Sequence, residues 1–306
     1  MQSCTVQSRT VNHDSHSSSL LPVGAAIAAM LFIQAGASII KGLFPVVGTQ
    51  GATVLRLTLA TIMMFVIWRP WRVRVRRERW PWIVAYGIVL GAMNSLFYAA
   101  LSRIPLGIAV SLEFAGPLGL ALLGSRRALD FLWVLLAVCG IYLLLPVGDR
   151  GGSLNETGVV LALGAGLCWA LYIVFGKRAG DGGSGPAVVY GSLVGMLAVL
   201  PFGAAQALPA LSQPHVLMLA LAVALLSSAI PYSLEMIAMT RLPARIFGVL
   251  MSVEPGIGAL VGFALLSERL SAAQLLAVAL IIAASVGTVS SHAATRRGEL
   301  EQVTPL

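Results

Sequence analysis

A chain of 306 residues that is 58% hydrophobic and only 10% charged, with a mean hydropathy of +0.90, has too few polar side chains to cover a water-soluble globule of its size and needs lipid as solvent. Its formal charge of +8 sits in short clusters between apolar runs, which suits orientation in a membrane and leaves no extended basic face to meet nucleic acid. Of its cysteines, Cys139 and Cys168 lie in apolar runs and Cys4 in a polar stretch, so neither a disulfide framework nor a metal-ligand spacing is present, and the two in apolar runs read as small core residues.

Residues 1–19 are polar and serine-rich, without the basic patch or cleavage site of a signal peptide, and are expected to be a disordered cytoplasmic tail. A helix needs about 20 apolar residues to cross the hydrocarbon. Spans are accordingly expected near 20–40, 50–68, 81–101, 106–124, 129–146, 157–176, 186–204, 215–237, 245–266 and 272–290. This divides the chain into a first five-helix unit (20–146), an external linker (147–156), a second five-helix unit (157–290) and a cytoplasmic tail (291–306). With the N-terminus inside, the second loop is RPWRVRVRRERW, and Arg126, Arg127, Lys177, Arg178, Arg241 and Arg245 fall on the same side. Fifteen of the twenty Lys and Arg then face the cytoplasm, as the positive-inside bias requires, so both termini are expected there, in a bacterial-type inner membrane. Trp68, Trp71, Trp80 and Trp82 bracket the basic loop at the headgroup level that amphipathic indoles favour.

The stretch 95–117 realigns without gaps on 233–255. Ser95 meets Ser233, Ala100 meets Ala238, Arg103 meets Arg241, Pro105 meets Pro243 and Pro117 meets Pro255. Paired Arg-x-Pro turns and paired mid-span prolines at one offset point to duplication. Units five spans apart enter the membrane with opposite polarity, and inverted repeats of this kind are a transporter architecture with a substrate site near the midplane. The expected fold is an all-α integral membrane protein of ten transmembrane helices, arranged as two five-helix inverted repeats.

Three carboxylates fall inside predicted spans: Glu113, Glu254 and Glu235. Each costs about 2.5–3.5 kcal/mol at the centre of a span and needs a partner, a wet cavity or a proton. Glu113 and Glu254 lie near mid-span, whereas Glu235 is nearer the cytoplasmic end, where it reaches water or pairs with Arg241. Pro117 leaves the carbonyl of Glu113 without its helical donor; Pro255 does the same for Met251 and Pro231 for Ser227. Such breaks are tolerated against protein or a wet cavity, so each proline either opens a binding site or only kinks a packed helix. Lys41 and Arg56 are the cations of the outer half; Arg56 either meets a substrate carboxylate or snorkels to the headgroups. Gln34, Asn94 and Tyr232 are neutral groups able to read a substrate hydroxyl or to join helices. Gly87 with Gly91, and Gly258 with Gly262, have the spacing of close helix packing. Glu268 is expected at the outer surface.

The repeat, the ten spans and the segment EPGIGALVGFALLSERLSAAQLLAVALIIAAS resemble the EamA-type branch of the drug/metabolite transporter superfamily, in which a Glu-Pro pair and a later Ser/Gly-Glu-x-Leu turn recur. Within it, IQAGASIIKGLFP, RIPLGIAVSLEFAGPLG, LALGAGLCWALYIVFGKRAG and PYSLEMIAMTRLPARIFG resemble exporters of threonine and homoserine, over roughly residues 20–290. The resemblance implies the drug/metabolite transporter fold, with the first, third, fourth, sixth, eighth and ninth helices around a central cavity. It also implies efflux of hydrophilic amino acids from the cytoplasm, driven by the proton gradient; separately, no cofactor and no metal are expected. Glu113 and Glu254 are then the leading candidates for the substrate ammonium or a proton, and Arg56 and Lys41 for its carboxylate. The expected partners are a small amino acid, membrane lipids and, in an assembly, a second copy in a homodimer. Efflux of other metabolites or drugs is the alternative, and an aromatic cage at Phe97, Tyr98, Phe114 and Tyr232 would favour it. A lipid-modifying enzyme would cluster Asp, His or metal ligands at one membrane face, and none cluster here; a non-transporting membrane subunit stays open.

Overall fold

Runs of apolar residues punctuated by Gly and Pro dictate helices that satisfy their own backbone, the structure that lipid permits an unpaired segment. The computed structural model describes residues 17–123, 128–144, 155–180, 184–231, 234 and 250–303, and no strand occurs among them. In chain order the helices are α1 (Ser17–Lys41), α2 (Phe44–Trp68), α3 (Trp80–Leu101), α4 (Leu106–Leu123), α5 (Ala128–Leu144), α6 (Glu156–Gly180), α7 (Ser184–Ala207), α8 (Pro214–Ala224), α9 (Glu254–Leu266) and α10 (Ala272–Val303). Five stretches, Leu21–Lys41, Phe44–Trp68, Arg77–Leu101, Glu156–Gly180 and Gly185–Ser212, are long and apolar enough to cross a membrane. The apolar stretches Leu106–Leu120, Pro214–Ser228, Glu254–Leu266 and Ala272–Gly287 are shorter.

Three boundaries differ from expectation. Helix α1 begins at Ser17, inside the expected tail 1–19, and α10 continues to Val303, well into the expected tail 291–306. Helix α2 begins at Phe44 rather than near 50, because the chain bends at Gly48 (φ 63°, ψ 172°) and then resumes its helix. That conformation suits glycine, and a Cβ at Gly48 would meet the Gln206 side chain at 2.7 Å. The Oε1 of Gln206 accepts the Gly51 N–H at 3.2 Å, replacing a helical acceptor lost at the bend.

Helix α3 packs on α6 and α7, α2 on α7 and α8, α4 on α6 and α9, α1 on α8 and α9, and α5 on α10. Small residues set these distances. A Cβ on Gly91 would lie 2.7 Å from the Gly195 carbonyl oxygen, and one on Gly195 would lie 2.9 Å from that of Gly87, so α3 and α7 touch backbone to backbone as the glycine spacing predicted. Gly258 brings α9 onto Val110 of α4. Between α4 and α6, any side chain on Gly116 would overlap the Gly166 backbone.

The interior is apolar, centred on Met30, Ile40, Leu43, Tyr98, Leu101 and Leu106. The outside is apolar too: Phe202, Phe263, Met218 and Leu167 are exposed, a surface that water would penalise and lipid would not. Trp68, Trp71, Trp80 and Trp82 are exposed near the basic loop, and the Arg178 guanidinium lies over the Trp82 ring at 4.7 Å. Cys139 is exposed and Cys168 half-buried, which corrects their reading as core residues: both helices offer those positions to the outside or to a cavity edge.

Candidate functional site

The helix before Pro231 cannot close its last turns normally, since proline brings no N–H to the carbonyl four residues back. The chain answers with a π turn over Leu225–Ala229, a distortion that recurs at functional sites. Here it presents both oxygens of Ser227 to Arg56 of α2. Arg56 Nε donates to Ser227 Oγ at 2.7 Å, and Nη2 donates to the Ser227 carbonyl at 3.3 Å, the group that Pro231 leaves free. Nη1 donates to Asn94 Oδ1, whose own amide nitrogen donates to the Leu90 carbonyl at 2.8 Å. The Tyr98 ring lies 5.5 Å from the guanidinium carbon. Arg56 is therefore fixed by neutral partners inside the protein, with its charge left for something else.

A cavity of about 230 Å³ lies beside it, with Arg56, Asn94, Glu113 and Glu254 all in its wall. Further lining comes from α1 through Gln34, from α3 through Phe97 and Tyr98, from α6 through Trp169 and Tyr172, and from Ser227 and Met251, and aliphatic side chains complete the wall. Glu113 and Glu254 are both buried, each 8% exposed, and Glu254 and Arg56 are close enough to act on Glu113 electrostatically. Gln34 Nε2 donates to Glu254 Oε1 at 3.2 Å. One fixed guanidinium and two carboxylates in a wall otherwise rich in aromatic and aliphatic groups make a pocket for a small zwitterion.

The structure sorts the other expected residues. Lys41 is not in the cavity wall; its Nζ pairs with Glu268 Oε1 at 2.5 Å, while Glu268 Oε2 accepts the Leu106 N–H at 2.7 Å. Glu268 is accordingly no plain surface residue, its side chain being 12% exposed, because a helix start and a lysine both need it. Pro117 lies inside α4, and the carbonyl it frees, that of Glu113, faces Gly166 of α6, where a Cβ would come within 2.5 Å of it. That carbonyl belongs to a helix contact. Pro255 is at the first turn of α9, after a break at Ser252 and Val253, a place where proline's missing N–H costs nothing; it starts a helix instead of kinking one. Tyr232 and Glu235 lie outside the described residues. Of the aromatic cage, Phe97 and Tyr98 line the cavity, whereas Phe114 packs edge-on against Trp169 at 5.7 Å.

Residues 156–290 match the EamA-like transporter family. The threonine/homoserine exporter RhtA of Escherichia coli (strain K12) is 52% identical over 268 residues, covering 88% of this chain and 91% of that protein. The chain belongs to the EamA-like transporter family. The threonine/homoserine exporter RhtA of Salmonella typhimurium (strain LT2) is 50% identical over 283 residues, covering 92% of this chain and 95% of its own. A solved crystal structure, 22% identical, superposes with a TM-score of 0.57 over 92% of this chain and 98% of its own, and shares the fold. The relatives of this EamA-like protein are transporters and not enzymes, and its apolar helices are those of a multi-pass membrane protein.

Three polar or aromatic contributors to this transporter's cavity escape the sequence reading. Trp169 and Tyr172 sit in an unbroken apolar run, where aromatics read as core. Extending the internal repeat would have singled out one of them, because the shift that carries Ser95 onto Ser233 also carries Gln34 onto Tyr172. The Ser227 hydroxyl had no signal beyond its position four residues before Pro231.

Proposed function

We propose that this transporter exports small hydrophilic amino acids, threonine and homoserine, from the cytoplasm in exchange for protons. The observation that carries the reading is the cavity itself, in which a guanidinium held by neutral partners faces two buried carboxylates. An amino-acid carboxylate suits the Arg56 fork, and its ammonium suits Glu113 and Glu254. Ammonium and proton are alternative ways of neutralising the same acids. A site that accepts one or the other on opposite sides of the membrane exchanges them. The volume, against about 30 Å³ for a water in the liquid, holds several waters or one small amino acid. The curated relatives at 50–52% identity carry the name threonine/homoserine exporter.

Ten spans, in two inverted five-helix repeats over 20–146 and 157–290, fit this function. The helix packing supports them, since it is paired: α3 on α6 is matched by α8 on α1, α4 on α6 by α9 on α1, and α3 on α7 by α8 on α2. Alternating helix direction puts the end of α1, the start of α4 and the end of α9 at one face, and Lys41, Leu106 and Glu268 do join there. The basic loops make the opposite face cytoplasmic, with both termini, in an inner membrane. The proton gradient supplies the energy, no cofactor or metal takes part, lipid surrounds the helices, and a homodimer is compatible with the apolar exterior.

A second reading, efflux of lipophilic cations, draws on the four aromatics Phe97, Tyr98, Trp169 and Tyr172 in the wall. Arg56 argues against it, because a fixed positive charge repels such a substrate. The test is the initial efflux of labelled threonine and homoserine from vesicles holding the purified protein, with and without a pH gradient, beside a lipophilic cation. Gradient-dependent release of the amino acids is expected. Release of the cation alone would replace this reading with the second.

A further inference from the structure

Among the polar groups of the cavity wall, Asn94 has a partner at each end of its amide, its Oδ1 accepting from Arg56 and its Nδ2 donating to the Leu90 carbonyl. Gln34 differs. Its side chain is 2% exposed, its Nε2 is committed to Glu254 at 3.2 Å, and its Oε1 is buried with no hydrogen-bond partner among the described residues. Turning the amide over would not resolve this, since Oε1 would then face the Glu254 carboxyl group and Nε2 would become the atom without a partner. Nor does its own helix absorb the atom: the neighbouring Ser38 hydroxyl donates to the Gln34 main-chain carbonyl at 3.0 Å instead. An orphaned buried acceptor is unfavourable and rare enough to require an explanation. Gln34 lines the cavity, and a small turn of its side chain would bring the buried oxygen to a donor held there.

We infer that Gln34 is the specificity-determining residue of this site, its Oε1 accepting a hydrogen bond from the side-chain hydroxyl of the amino acid being exported. This rests on the amino-acid reading above and deepens it. The charged ends of the substrate have charged partners, Arg56 for the carboxylate and the acids for the ammonium, which leaves a neutral acceptor for a neutral donor. Glu254 does two things at once: it meets the ammonium and, through Gln34 Nε2, leaves the amide oxygen as the end without a partner. Threonine and homoserine differ in which carbon bears the hydroxyl, yet both become 2-aminobutyrate when it is removed. One acceptor set back in the wall serves both, and 2-aminobutyrate leaves it orphaned.

The experiment is efflux from vesicles holding the full-length protein, loaded with threonine, homoserine, 2-aminobutyrate or 2-amino-3-fluorobutyrate, whose fluorine nearly matches the hydroxyl in size but cannot donate. The native protein is expected to favour both hydroxy amino acids over the two analogues in kcat/KM by about tenfold, the factor that corresponds to about 1.4 kcal/mol. In Gln34→Met, of similar length and without the acceptor, that ratio is expected to collapse toward one, the hydroxy substrates losing more than the analogues. A purely structural role would lower all four rates together and leave the ratio, which overturns the inference. Should Gln34→Met fail to fold, the fluoro analogue decides with the native protein alone, equal transport of it and threonine overturning the inference. Absence of efflux for all four substrates would instead sink the amino-acid reading on which this rests.

Discussion

A guanidinium inside a membrane span must find replacements for the water it has lost, and for Arg56 these are Asn94 and both oxygens of Ser227. Because the fork geometry is what all three share, Arg56→Lys keeps the charge and loses the arrangement. Efflux is expected to fall at least about tenfold, in line with the 1.5–3 kcal/mol of a hydrogen bond to a charged group, with the protein still folded. An unaltered rate per folded molecule would mean that only the charge matters there. Glu113 calls for the opposite test. Glu113→Gln keeps size and hydrogen bonding but removes the charge and the exchangeable proton, so export should be abolished or strongly reduced and should lose its pH dependence, with normal amounts in the membrane. Native rate and native pH response in that variant would remove Glu113 from the mechanism. Both residues were legible as candidates, because a charge in a span is costly enough to need a reason. What Arg56 binds was not, since its partners Asn94 and Ser227 lie on α3 and in the turn after α8, far off in sequence. Lys41 shows the same blindness in reverse: its charge was visible and its partner Glu268 was not.

At the scale of helices, the prolines were visible in the sequence but each works differently. Pro231 is met by a π turn whose free carbonyl takes Arg56, Pro255 begins α9, and Pro117 lets the carbonyl of Glu113 turn toward Gly166. A proline rule identifies the orphaned carbonyl, not the neighbour that will occupy its side. The α4–α6 contact yields a direct test. A methyl at Gly166 would press to within 2.5 Å of the Glu113 carbonyl oxygen, while one at Gly164, on the same helix, meets only Leu96 Cδ1 at an ordinary 3.5 Å. Gly166→Ala should therefore destabilise by about 1–3 kcal/mol, the range of overpacked sites, and Gly164→Ala by much less. Thermal unfolding in detergent measures the difference, and equal melting temperatures would mean that α4 and α6 separate more easily than their backbone contact implies. Helix existence was legible from composition and length; helix starts were not where a bend such as Gly48 joins one short turn of helix to a long helix, which hydropathy reads as loop and span.

For the whole molecule, orientation comes from charge and alternation, so reporters fused after Arg77, Lys177 and the C-terminus should all report cytoplasm, and finding the first and last on opposite sides would defeat an even number of spans. In that orientation Lys41, Leu106 and Glu268 lie at the outer face, where a single carboxylate joins the end of α1, the start of α4 and the chain leaving α9. These are three of the helices that wall the cavity. Export requires the site to open outward, and helices tied at their outer ends cannot part there while the tie holds. Glu268→Gln weakens the ion pair yet retains an oxygen for the Leu106 N–H, so it loosens the outer end without stripping the start of α4. For each 1.4 kcal/mol of lost closure the outward-open population rises tenfold relative to the closed one. A cysteine in place of Met251, which lines the cavity, reports this in a background where Cys4, Cys139 and Cys168 are serine. An impermeant thiol reagent added outside should label it several-fold faster with Glu268→Gln than without. The double variant Lys41→Gln with Glu268→Gln should label no faster than Glu268→Gln alone, because both changes break one bond. Identical labelling rates with and without Glu268→Gln would show that the outer ends are held by packing, and that the Lys41–Glu268 pair only steadies the fold.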